Sequence, residues 1–282
     1  MKRMPLGLIT FLIFQCLLFS QDKPSVEKEK EAIKQAALDY AEGYYEGNAG
    51  RMERALHPLL VKRGLVPSNS GSGSFLVLMN SEMLIEVTRL GSGNLSPDQR
   101  NISYKLLDCS DNIASAKIFT AKFCDYLHLA KVNDQWRIVN VLWRPPAQQT
   151  AADGEKELES IKKVLEQLRS NAAAKDASMA QSAIHPEVAR RAYLPFRQGG
   201  KPLIQERNFE TLVEHIRMGR AVPPKDQEMP AIAVLDVYED IASVKITPAG
   251  YTDYVHLTKQ NGQWRILNGL TGIRQSSAQQ PK

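Results

Sequence analysis

Three cysteines among 282 residues are too few for a disulfide scaffold, and no cysteine or histidine pair has metal-ligand spacing. Beyond one stretch near the amino end the chain lacks a long apolar run, which excludes a polytopic helical membrane protein. No charge of one sign dominates: 36 Lys+Arg stand against 31 Asp+Glu, without a basic block interleaved with aromatics. Nucleic-acid binding therefore finds no support. No serine sits in a nucleophile elbow, and Ser70-Gly71-Ser72-Gly73-Ser74 lacks the strand-then-helix context of a phosphate-binding loop. What is present, 43% hydrophobic and 24% charged residues with ordinary glycine and proline, is a globular composition long enough for two domains.

The apolar stretch runs from Leu6 to Phe19 behind Lys2 and Arg3, and the chain turns polar at Ser20-Gln21-Asp22. That order is the anatomy of a secretory signal, too short to span a bilayer as a helix. Residues 1–20 are expected to be removed after Ser20, lowering the net charge from +5 to +3 by loss of Lys2 and Arg3. Gln15 before Cys16 argues against a lipoprotein. The expected location is periplasmic or secreted, with membrane contact only through the signal.

Sliding the chain by 128 positions reveals a duplication. Between Leu106 and Leu142, 20 of 37 positions are identical to their counterparts, where composition alone gives roughly two or three. Asp125-Tyr126-Leu127-His128-Leu129 falls on Asp253-Tyr254-Val255-His256-Leu257, and Gln135-Trp136-Arg137-Ile138 on Gln263-Trp264-Arg265-Ile266. The offset continues upstream through His57-Pro58 on His185-Pro186, and only residues 35–54 and 163–182 look unrelated. The expected units are domains at 25–144 and 155–274, a Pro145-Pro146 linker over 145–154, and a disordered tail at 275–282.

Within the first repeat, Ile33, Ala36, Ala37, Tyr40, Tyr44 and Tyr45 at helical spacing predict a long helix over 27–46, ending near Gly47. A short helix over 52–56, a break at His57-Pro58, a flexible loop at 68–74 and a helix over 82–90 follow. Four strands are expected at 102–109, 113–121, 124–132 and 135–143, with turns at Asp111-Asn112 and Asn133-Asp134. Cys109 and Cys124 then lie at opposite ends of a nine-residue strand about 30 Å long and cannot pair. Asp108 and Asp236 read as turn residues.

The long helix with Gly43-Tyr44-Tyr45-Glu46-Gly47-Asn48, then Arg54-Ala55-Leu56-His57-Pro58 and the two strand motifs above, resembles the lumazine-binding branch of the nuclear-transport-factor-2-like superfamily. The resemblance covers nearly all of 27–144 and, more weakly, 155–271. It implies an α+β fold: two tandem cone-shaped domains, each a long N-terminal helix plus short helices packed on a curved antiparallel sheet. It also implies a pocket between helix and sheet, no cofactor, and pairing through the sheets as an intramolecular pseudo-dimer or a homo-oligomer. Relatives of the fold include both enzymes and non-catalytic binders, so fold alone does not give function.

Candidate ligand-binding residues are Tyr44, His57, Arg63, Tyr126, His128 and Trp143. His57 lies beside Lys62 and Arg63 as an anion-attracting mouth or a structural turn. Tyr126 and His128 share one face of a strand, with Asp125, Leu127 and Leu129 on the other, and either face could be the concave one. Tyr40, Tyr44 and Trp143 become Leu168, Ala172 and Thr271 in the second copy; they read equally as core packing or as a pocket lining, and a pocket, if there is one, is expected in the first domain. The expected function is an exported, non-catalytic module for a small aromatic or anionic ligand or for another protein. The alternative is a cofactor-free lyase or isomerase with His57 or Asp39 as base and Tyr44 as donor. No catalytic residue and no metal site is assigned.

Overall fold

A computed structural model describes residues 25–68, 73–147, 154–178, 180–195, 201–220 and 230–274. The expected signal (1–20), part of the 68–74 loop, most of the linker and the tail (275–282) lie outside these residues. The first repeat begins with α1 (Val26–Glu46), capped by the Ser25 side chain and closed by Gly47, whose φ of 64° suits a residue without a Cβ. Its buried face is Ile33, Ala36, Ala37, Tyr40, Ala41 and Tyr45, most of the stripe that the spacing predicts, with Tyr44 half-buried. The short α2 (Ala49–Ala55) starts at an Asn48 cap.

The chain then enters β1 (Leu56–Pro67) and β2 (Ser74–Asn80), followed by α3 (Ser81–Arg89). The meander β3 (Ser103–Ser110), β4 (Ile113–Phe119), β5 (Cys124–Val132) and β6 (Gln135–Arg144) closes the domain. The sheet order is β2-β1-β6-β5-β4-β3. The four expected strands are present within a residue or two at most ends. Two more were not expected, and β1 runs parallel to β6, so the sheet is not wholly antiparallel. His57-Pro58 begins this strand rather than merely breaking a helix, and a register shift between Leu56 and Val61 accommodates it.

The second repeat follows the same plan: α4 (Gly154–Ala173), α5 (Ala180–Ala183), β7 (Ile184–Leu194), β8 (Leu203–Arg207), α6 (Phe209–Arg217), then β9 (Ala231–Tyr238), β10 (Ile241–Thr247), β11 (Tyr251–Gln260) and β12 (Gln263–Ile273). The 128-residue offset also holds in the long helices, where identity fades. Glu29 accepts hydrogen bonds from Trp136 Nε1 (2.6 Å) and Lys131 Nζ (2.7 Å); Glu157 accepts from Trp264 Nε1 (2.7 Å) and Lys259 Nζ (2.5 Å). Each tryptophan thus ties the start of its helix to its own sheet.

One face of each sheet packs on its helix. In the first domain Ala114, Ala116, Ile118, Leu127 and Leu129 join α1 in a core. The other faces of the two sheets pack on each other, through mixed clusters that include Ile113, Val139, Tyr254 and Leu270, or Tyr126, Leu142, Tyr238 and Leu267. The contacts are reciprocal. Ser115 Oγ meets Ser243 Oγ at 2.9 Å, and the His128 and His256 rings stack with centroids 3.5 Å apart. Lys117 and Tyr126 bind Asp236, while Lys245 and Tyr254 bind Asp108. Residue i therefore touches the copy of itself, as across an isologous two-fold interface. Asp108 and Asp236 are interface acceptors as well as strand residues, which corrects their reading as turn residues. Cys109 and Cys124 are both free, near opposite ends of β4.

Candidate functional site

The middle of the first cone is occupied by its own side chains. Lys62, on β1, reaches Asp125 Oδ2 at 3.0 Å, and the Tyr40 hydroxyl binds both of them. The ammonium also lies 5.0–5.2 Å from the ring centroids of Tyr40, Phe123 and Trp143, a cation–π cage. Burial pushes Lys62 down and Asp125 up, each opposed by the charge of the other. Trp143 lies against Gly64, where a Cβ would come within 2.1 Å of its ring. Tyr44 packs edge-on against Tyr45 and Phe123. These rings pack on one another and on Lys62, in keeping with the packing reading of the aromatic set.

The remaining candidates do not converge. Arg63, Tyr126 and His128 face the other sheet: Arg63 donates to Asn268 Oδ1 (2.8 Å), Tyr126 to Asp236 Oδ2 (2.6 Å), and His128 stacks on His256. The face of β5 toward α1 is that of Asp125, Leu127 and Leu129. His57 Nδ1 accepts from the Leu59 amide at 3.1 Å, and His185 Nδ1 from the Glu187 amide at 3.0 Å. Both are the same local turn. Asp39 is held by Arg51, Arg54 and Gln35, and no hydrogen bond among the described residues joins it or His57 to Tyr44. The base-and-tyrosine constellation required of the lyase reading is therefore not assembled there.

A cavity between helix and sheet lies in the second domain, whereas the first was the expected place for one. It measures about 610 Å³, within the range of small-molecule sites. It occupies the place where the first domain holds its aromatic fill: Leu168, Ala172, Ala192 and Thr271 line it at the positions of Tyr40, Tyr44, Gly64 and Trp143. Leu165, Ile216, Ile246 and Ile266 form apolar wall. The ion pair of the first cone persists in altered form, with Arg190 and Asp253 where Lys62 and Asp125 stand, and Thr271 Oγ1 donating to Asp253 at 2.9 Å. Arg169, Arg207, His215 and Arg220 also reach the lining. Sequence comparison of the copies locates these positions but not the sign of the effect, because lost side-chain volume becomes a cavity only if the backbone stays put.

Residues 28–144 and 156–270 each match the family described as "Putative lumazine-binding". The chain belongs to this family. No curated protein matches it. Among solved structures, it is similar to an NTF2-like protein of unknown function from Methylobacillus flagellatus KT, at 17% identity over 45% of this chain and 100% of that one, with a TM-score of 0.35. It is likewise similar to an NTF2-like protein of unknown function from Shewanella baltica OS155, at 16% identity, 46% and 100% coverage and a TM-score of 0.33. An NTF2-like protein from Cytophaga hutchinsonii ATCC 33406 gives 11% identity, 43% and 98% coverage and a TM-score of 0.31.

In this tandem lumazine-binding-family chain the paired histidines have a defined chemical state. Arg191 Nη1 donates to Asn140 Oδ1, and Arg63 Nη1 to Asn268 Oδ1. An arginine can only donate, so each amide turns its Nδ2 toward a histidine Nδ1, at 3.2 Å for His128 and 3.3 Å for His256. Both imidazoles are therefore neutral, with the proton on Nε2. Burial holds His128 well below the usual histidine range, helped by His256 and Arg191, and burial brings His256 to about 3. Burial, with Arg191 and Arg137, also lowers His57 to about 4.

The folded protein thus refuses protons that the unfolded chain takes up below pH 6.5. Stability is expected to fall as pH drops through about 6.5 toward 3, with a slope approaching 3 kcal/mol per pH unit from the stacked pair. Urea denaturation at pH 7, 6 and 5 measures it. The double variant His128→Gln, His256→Gln is expected to flatten most of the slope, and an unchanged slope would place the effect elsewhere.

Proposed function

We propose that this is an exported, non-catalytic small-ligand-binding module, in which the hollow second domain takes the ligand and the filled first domain is its scaffold. The observation that carries the reading is the difference between two otherwise equivalent cones: one closed by Tyr40, Phe123 and Trp143, the other opened to about 610 Å³. Export is supported by Lys2-Arg3 followed by the apolar run to Phe19. No helix among the described residues is long and apolar enough to cross a membrane, and none of their His, Cys, Asp and Glu side chains form a group of three able to hold a metal.

Native mass spectrometry of the protein purified from its own host, beside a denatured control, tests both parts. The expected result is a chain beginning at Gln21 carrying a small molecule that is lost on denaturation. A clean apo mass would turn the search toward a protein partner, and a chain that retains residues 1–20 would set export by cleavage aside.

A further inference from the structure

Three arginines and one histidine of the second cone have no counterpart in the first. Arg169, Arg207, His215 and Arg220 stand where the first copy has Ala41, Met79, Val87 and Ser92. All four reach the cavity lining. The same stretch of sequence that lost its aromatic fill gained positive charge around the space left behind.

These charges are poorly matched by the protein itself. Arg190 and Arg207 are direct cross-strand partners between β7 and β8, an arrangement that is unfavourable for like charges. Asp253 offsets Arg190, and Glu206 offsets Arg191. Arg207 has only a 3.3 Å hydrogen bond to the neutral Gln205, and Arg169 one to the Pro230 carbonyl at 2.9 Å, with its buried Nε unpartnered. Among the described residues, neither Arg169, Arg207 nor Arg220 has a carboxylate within ion-pair distance. His215 lies within the field of both Arg207 and Arg220, and together with burial this holds its pKa below the usual value. Arg220 is exposed while Arg207 and His215 are half-buried, so this cluster sits at the rim of the cavity, with the leucine and isoleucine wall beyond it.

Resting on the binding role proposed above, we infer that the ligand is a small amphipathic anion: a carboxylate, sulfonate or phosphate monoester on an apolar body. Its charged end is held at the rim by Arg207, His215 and Arg220, and its body lies against Leu165, Leu168 and Ile216. A negative charge at the rim relieves the repulsion between the guanidinium groups there, and the leucine and isoleucine wall takes the apolar body. Bidentate contact from a guanidinium suits all three head groups.

Two fluorescent probes separate the parts of this inference: 8-anilino-1-naphthalenesulfonate and N-phenyl-1-naphthylamine, which share their rings and differ in the sulfonate. Titration of the full-length mature chain is expected to give one site per chain, with the sulfonate at least tenfold tighter. The double variant Arg207→Gln, Arg220→Gln is expected to lose at least tenfold for the sulfonate and less than twofold for the amine, with circular dichroism unchanged. Equal affinity of the two probes, or a double variant that keeps sulfonate affinity, overturns the anionic assignment and leaves the pocket standing. Failure of both probes to bind at a single site overturns the pocket along with it.

Discussion

Asp125→Ala is expected to cost about 3–5 kcal/mol of stability, the penalty of stranding one member of a buried ion pair. Lys62 is 6% exposed and Asp125 0%, and the three aromatic faces around the ammonium cannot replace a carboxylate. Removing both charges is a different experiment. Lys62→Met with Asp125→Leu takes away two desolvation penalties together with the attraction, and it is expected to recover most of the loss. Urea denaturation of the single variants and the pair, read as a double-mutant cycle, measures this. If the pair costs as much as the two singles summed, Lys62 and Asp125 do not interact and the first cone is held by its aromatics alone. The Arg190–Asp253 pair at the wall of the cavity is more exposed and should tolerate Asp253→Asn with a smaller loss.

Giving the second cone the first one's residues is expected to abolish small-molecule binding. The variant carries Ala172→Tyr, Thr271→Trp and Ala192→Gly. The glycine is required because an indole at 271 would lie where the Ala192 Cβ stands, as Trp143 lies over Gly64. Sulfonate-probe affinity should drop by at least fiftyfold while Arg207 and Arg220 remain in place. Filling a cavity also restores lost van der Waals contact, so the thermal midpoint is expected to rise. Retained binding in a folded variant would mean that the probe sits outside the cone.

Much of this architecture is written in the chain in a form that local rules can read. The turn dipeptides Asp111-Asn112 and Asn133-Asp134 bracket strands that the structure places within a residue or two, and both asparagine–aspartate steps use positive φ. The strand over 56–67 escaped because Lys62 and Arg63 interrupt its apolar pattern. Each is buried against a partner more than sixty residues away, Asp125 for one and Asn268 for the other. No window of sequence contains those partners. Arg63, Tyr126 and His128 have partners just as remote, all in the other repeat: Asn268, Asp236 and His256. The aromatic differences between the copies were legible, but not which way they act, since bulky rings can either line a cone or close it.

The self-contacts of Ser115 with Ser243 and of His128 with His256 imply how such asymmetry can be tolerated. A free pair of identical domains joined this way must carry every change twice, and it separates on dilution. Tethered by the nine residues between Arg144 and Gly154, the partner is present at a fixed local concentration, on the order of millimolar for a short connection. One half can then give up packing and become hollow without becoming scarce, because its neighbour is never further away than the tether reaches. The protein's cohesion should accordingly be independent of its concentration, in a way that two separate chains with the same surfaces could not match.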